Sequence, residues 1–308
     1  MSAPSTFTAK QLRVTLVLIP INGVPQNFPG TGSNQLVLLG GYDETAGAYG
    51  LRMSSTTQGA ANYSNNLQLR IFGMETADMN ALTTLFFGPN PTQIGNSTVL
   101  LESNDGTGWN QVFSGSITNG CPQYNDQGNV SMLIEGVIGY SKGVAGGPPL
   151  SYPNGAAAAD IAQTIASSMG LSFTNSGVTG QASPGAYFPG TPRDQLNALK
   201  TALKFDYYID NGTLTICPLY QADVSAATVE ISPGNGLIGY PQPGIGGIEF
   251  DCYFTPALQL AGLIKISGST VPYANGSWAS RARTHYLDAG LPGGKWQSHV
   301  LGIYEATQ

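Results

Sequence analysis

Few residues in this 308-residue chain could do chemistry. There are two histidines, His285 in "SRARTHYLDA" and His299 in "WQSHVLGIY". Asp288 follows His285 by three residues and could orient it, but nothing marks a serine as the nucleophile such a pair would serve. Ser116 in "FSGSITNG" does not sit in a G-x-S-x-G elbow. Both histidines read as polar residues of strands. Glu249 and Asp251 stand two apart in "GIEFDCYF", about 7 Å along a strand. An inverting pair of carboxylates tolerates that separation, yet alternate acidic residues on the wet face of a sheet need no catalytic explanation. No H-E-x-x-H, C-x-x-C or EF-hand loop occurs. "NFPGTGSNQ" lacks a phosphate-loop lysine and reads as a turn. The expectation is a protein that is not an enzyme, with no catalytic, metal-ligating or cofactor-binding residue.

Composition narrows the classes further. Only 10% of residues are charged, against about 25% in soluble domains, and the net charge is −6. Tight nucleic-acid binding needs a surplus of Lys and Arg to displace counterions, so any DNA is expected to pass without specific binding. The 41 Gly and 20 Pro would suit disorder, but 41% hydrophobic residues would not. The chain reads as folded and loop-rich. Cys121, Cys217 and Cys252 are odd in number and widely spaced, which fits a reducing compartment better than a disulfide framework. The start, "MSAPSTFTAKQLRVTLVLIP", does not read as a secretory signal. Residues 14–42 carry no charge but are interrupted too often for a membrane span, so a soluble protein without membrane insertion is expected.

The elements that must position these residues divide the chain into three. Residues 1–145 alternate short strands with turns and hold one helix, with Thr76 as N-cap, Met79, Leu82 and Phe86 on one face, and Gly88-Pro89 as the stop. "SKGVAGGPPLSYPNG", residues 141–155, has the composition of a linker. Residues 146–220 read as an α+β module. Its first helix ends at Gly170. Its second has Thr191 as N-cap, Pro192 in the first turn, Asp194 placed for a capping box, and a buried stripe of Leu196, Leu199 and Leu203. A hairpin follows, turning at "DNG". Residues 221–308 return to strands. There Ile248, Phe250, Cys252 and Phe254 share one face, a candidate packing surface, while Glu249 and Asp251 share the other with Tyr253. The fold class expected is mainly β with an α+β insert.

"GLIGYPQPGIGGIEFDCYFTPALQLAGLIKISGS" and the C-terminal "THYLDAGLPGGKWQSHVLGI" resemble stretches of baseplate hub proteins of phage tails. "ADIAQTIASSMGLSFTN…TPRDQLNALKTALKFDYYIDNGTLTICP" is similar to that family's inserted domain, and "VFSGSITNGCPQYNDQGNVSMLIEG" to a strand–turn–strand of its first barrel. The resemblance implies two tube-like β-barrel domains, 1–145 and 221–308, flanking the inserted module. It also implies a homotrimeric ring that adapts a sixfold tail tube to a threefold central spike. Its partners would then be itself, the tail tube protein, the spike protein and other baseplate or tape-measure proteins. It would reside in the virion, after assembly in the host cytoplasm, and the resemblance leans to a contractile tail. On that reading Glu249 and Asp251 would face the channel for genome ejection, and their charge would repel DNA. The alternatives are a receptor- or glycan-binding tail protein and a tail-associated peptidoglycan hydrolase.

Overall fold

The structure, a computed structural model, describes residues 9–20, 25–43, 46–84, 96–126, 129–223, 225–244 and 246–304. The chain forms two compact units: Met1–Thr57, Asn66–Tyr140 and His285–Gln297 make the first, and Gln58–Asn65, Ser141–Thr284 and Ser298–Gln308 the second.

The first unit is built on period-two strands. In Gln11–Val17, Leu12, Val14 and Leu16 are fully buried while the residues between them are only half covered. That strand pairs antiparallel with Gln35–Gly40 on one side and Thr98–Asn104 on the other. The path continues through Asn110–Asp126, Asn129–Val137 and Asn66–Phe72 to the first residues of Arg52–Ala60. Leu67, Leu69, Ile71, Met132 and Ile134 extend the core along it. Helix α1 (Thr76–Thr84) buries Met79 and Leu82. Phe86 and the Gly88-Pro89 stop lie outside the described residues.

In the second unit the α+β module holds helices α3 (Ala158–Met169) and α4 (Pro192–Leu203), the short α2 (Tyr140–Val144) preceding them. Gly170 caps α3 in the left-handed conformation. At α4 the Thr191 hydroxyl accepts from the Asp194 backbone N–H while the Asp194 carboxylate accepts from the Thr191 backbone N–H, a complete capping box. Leu196 and Leu199 are fully buried, and Leu203 half-buried. Phe205–Asp210 and Thr213–Pro218 form the expected hairpin, with Asn211 and Gly212 both at positive φ. Ser172–Asn175 adds a parallel strand to it. The stretch expected as a linker is instead structured. It contains most of α2, and Leu150–Tyr152 pairs with Ala186–Phe188. Gly143 lies within α2, residues 146–149 make the irregular connection to the paired strand, and Pro153 lies in the turn after it.

The C-terminal strands of this unit run in the order Leu237–Gly244, Gly247–Tyr253, Trp296–Tyr304, Gly276–Ala289, with Leu263–Ile266 also on the last and Val229–Ile231 parallel to it. A Cβ on Gly247 would lie 1.9 Å from the Gly302 carbonyl oxygen, so close strand approach demands glycine there. Leu237–Gly244 contains Pro241 and Pro243 and a bulge between Ile238 and Gln242. Proline donates nothing to a ladder, which by sequence counts against a strand here. Its place at the end of the path removes the objection. The mainly β class with an α+β insert is what the chain adopts. Its strands form open paths, and no sheet among the described residues closes into a barrel.

Candidate functional site

Strand Gly247–Tyr253 separates its two faces completely. Ile248, Phe250 and Cys252 are each at most 2% exposed and pack with Ile264, Trp278 and Val300. Phe254, just past the strand, is also buried. Glu249 and Asp251 lie half-buried on the opposite face. Burial pushes the Cys252 thiol up to about 12, with the neighbouring Asp251 charge adding to it, so this sulfur is a packing group and not a nucleophile.

Sequence proximity suggested His285 with Asp288. His285 is buried, and the Asp288 carboxylate accepts the Lys295 backbone N–H across its hairpin turn at 2.8 Å. The histidine that meets Asp251 is His299, with Nδ1 and Oδ1 2.9 Å apart. Antiparallel neighbours bring these two together from 48 residues apart, and no local spacing announces it.

A second constellation, which the sequence did not reveal, lies under the module. Asp206 and Asp210 sit four apart on one strand and so point to the same face. Each meets one arginine of Gly276–Ala289 and one asparagine of the 61–65 loop. Arg281 donates to Asp206 at 2.7 and 3.4 Å, and Asn62 Nδ2 donates to Asp206 Oδ1 at 2.7 Å. Arg283 reaches Asp210 at 3.0 Å, and Asn65 Nδ2 donates to Asp210 Oδ1 at 3.0 Å. Arg283 also donates to the Leu258 carbonyl oxygen. The Arg281 guanidinium stacks 4.9 Å from the Tyr220 ring centroid.

Burial by itself would raise the Asp206 pKa. The Arg281 and Asn62 hydrogen bonds, the Arg281 charge and the Tyr220 N–H outweigh it and hold the carboxyl below its ordinary value. Between the two ion pairs lies Tyr208, packed with Ala61, Cys217, Leu260 and Ala261. Every charge is matched within the constellation, which makes it a clasp and not a reactive centre.

Among the described residues no three His, Cys, Asp or Glu side chains converge as a metal site, and no helix is long and apolar enough to cross a membrane. Of the tryptophans, Trp278 is buried with Nε1 donating to the Ala274 carbonyl oxygen, and Trp109 carries the Arg13 guanidinium 4.4 Å from its ring centroid.

Residues 93–287 match the sequence pattern of the family described as Baseplate hub gp41. No curated protein matches the chain. Among solved structures, the 43 kDa tail protein of prophage MuSo2 from Shewanella oneidensis shares 11% identity over 83% of this chain and 93% of that one, with a TM-score of 0.54. The tail protein from Neisseria meningitidis MC58 shares 9% over 82% and 96%, with a TM-score of 0.55. The Escherichia coli c3393 protein is described as a type VI secretion component with structural similarity to the T4 bacteriophage tail proteins gp27 and gp5. It shares 7% over 83% and 74%, with a TM-score of 0.55. Identities this low establish a common fold alone.

Proposed function

The chain belongs to the baseplate hub gp41 family, and on that basis we propose that it builds a homotrimeric ring joining the tail tube to the central spike of a phage tail. The family match across residues 93–287 carries this reading. The fold likeness to phage tail proteins supports it. As a hub component it is a structural protein of the virion tail. The finer proposal is that three copies, each offering two related strand-rich regions, present six similar surfaces to a sixfold tube and three to the spike, and that the ring performs no catalysis. A composition with 10% charged residues lowers the desolvation cost of the broad contacts such a ring requires.

Glu249 and Asp251 are the residues proposed to line the passage for DNA. Both remain half-exposed on the face opposite the core. Asp251 is engaged by His299, which leaves Glu249 as the freer charge.

A glycan-binding tail protein would present bare indole faces. The burial of Trp278 and the cation over Trp109 weaken that reading. The native mass of the purified chain, together with negative-stain class averages of the same material, tests the ring. A threefold particle with an axial hole is expected. A monomer that stays monomeric with tube and spike proteins present would overturn it.

A further inference from the structure

An open cleft of about 640 Å³ lies between the 60–64 loop and helix α4. Arg193, Asn197 and Lys200 line it from the helix. Their i, i+4, i+7 spacing puts them in one row about 10 Å long at 1.5 Å rise per residue. Arg281 closes part of the wall. Three of the chain's 12 basic residues therefore meet in one cleft of an acidic protein.

What each group has left to offer decides the ligand. The Arg281 guanidinium is occupied by Asp206. Arg193 donates only to the Ser64 hydroxyl among the described residues, and the Lys200 ammonium meets no hydrogen-bond or ion-pair partner there. The Tyr207 hydroxyl shares its one hydrogen between the Asn62 carbonyl oxygen at 2.8 Å and the Asn197 side-chain oxygen at 3.0 Å, so the Asn197 amide N–H groups are what that side chain presents. The row is one of donors, with a guanidinium at one end and an ammonium at the other.

We infer that this cleft binds an extended acidic peptide segment of a protein partner, with one carboxylate on Arg193 and a second on Lys200. In the extended polyproline II conformation, with three residues per turn and about 3.1 Å rise, side chains three residues apart share a face and are separated by about 9 Å, which matches the row. A guanidinium takes a carboxylate through two parallel N–H bonds, and the Asn197 amide suits the peptide carbonyl between. Single-stranded nucleic acid is the poorer fit. Among the described residues only Tyr63 offers an exposed ring to the cleft, where successive bases need a series of them.

The test uses the full chain and a fluorescein-labelled peptide of sequence GEGGEG, followed by polarisation, and it reads the same whether the chain is monomeric or a ring. Binding is expected to weaken as salt rises, and at least tenfold for the glutamine counterpart GQGGQG. Lys200→Glu is expected to weaken it at least tenfold. Lys265→Glu makes the same charge change at a residue paired with Glu230 outside the cleft, and is expected to leave binding unchanged. If Lys200→Glu unfolds the chain, Lys200→Gln serves in its place, with a smaller but clear loss expected. The inference is overturned if GEGGEG does not bind, or if both peptides bind alike. It is also overturned if Lys265→Glu weakens binding as much as Lys200→Glu, or if inorganic phosphate or a ten-nucleotide oligothymidine displaces the peptide at equal or lower concentration.

Discussion

Asn62 and Tyr207 lie 145 residues apart and are joined by three hydrogen bonds. The Asn62 N–H donates to the Tyr207 carbonyl at 2.7 Å, the Tyr207 N–H to Asn62 Oδ1 at 3.2 Å, and the Tyr207 hydroxyl to the Asn62 carbonyl at 2.8 Å. With its amide on Asp206, Asn62 has all of its polar groups engaged. It also sits at φ 67°, where asparagine is tolerated and alanine is strained. Asn62→Gly keeps the backbone and loses the side-chain bonds, at an expected cost of about 2 kcal/mol. Asn62→Ala should cost about 1 kcal/mol more. Denaturant melts of the two variants measure the difference; equal losses would mean that the backbone conformation contributes nothing.

Asp206 sets an acid limit. Its pKa is lowered in the fold, so its contribution is present above the unfolded value of about 4 and is lost as pH falls through the folded value. At pH 6, Asp206→Asn leaves Arg281 unmatched and should cost about 3 kcal/mol. Below pH 4 the unfolded carboxyl takes up its proton while the native one stays ionised until pH falls through its lowered value, so the gap between wild type and variant should narrow across that interval. Melts from pH 2.5 to 7 report this, and a gap independent of pH would contradict it.

Tyr208 is 1% exposed, and its hydroxyl has no hydrogen-bond partner among the described residues. Burial drives its pKa upward, the nearby Asp206 charge adding to the effect. An unsatisfied buried hydroxyl costs about 1–3 kcal/mol. Tyr208→Phe is therefore expected to leave the melting temperature unchanged or raise it. A clear fall would show that the hydroxyl has a partner, such as a buried water.

The three thiols should separate by reactivity. Cys217 and Cys252 are buried, and burial, followed by nearby aspartate charge, lifts each to about 12. Cys121 is half-buried. At pH 8 a disulfide reagent is expected to modify Cys121 first and the other two only as the chain unfolds. Three thiols reacting at one rate in the native protein would refute the packing described for Gly247–Tyr253.

Features fixed by neighbours in sequence were legible, and those fixed by the sheet were not. The Thr191–Asp194 capping box and the Asn211-Gly212 turn are local, and each was visible in four or five residues. So was the alternation of Ile248 to Phe254, because a strand displays its two faces residue by residue. The pairing of His299 with Asp251 depends on which strand lies beside which, so proximity pointed to Asp288 instead. Asp206 with Arg281, 75 residues apart, gave no sign at all. In Leu237–Gly244 the prolines count against a ladder until its edge position is known. The segment 141–155 has a linker's composition, yet tertiary partners fold parts of it into a helix and a paired strand.

That edge strand bears on how the protein avoids joining indefinitely. An outermost strand with a full row of free N–H and C=O groups is a template for the next chain, and for the one after it. Pro241 and Pro243 withdraw two donors from the row, and the bulge after Ile238 puts the remainder out of step. In the ring proposed above, a subunit has to wait for its partners without pairing its open edge with further copies. Leu237–Gly244 works as a stop: it lets the sheet end on this chain, so that growth has to come through surfaces whose number is limited.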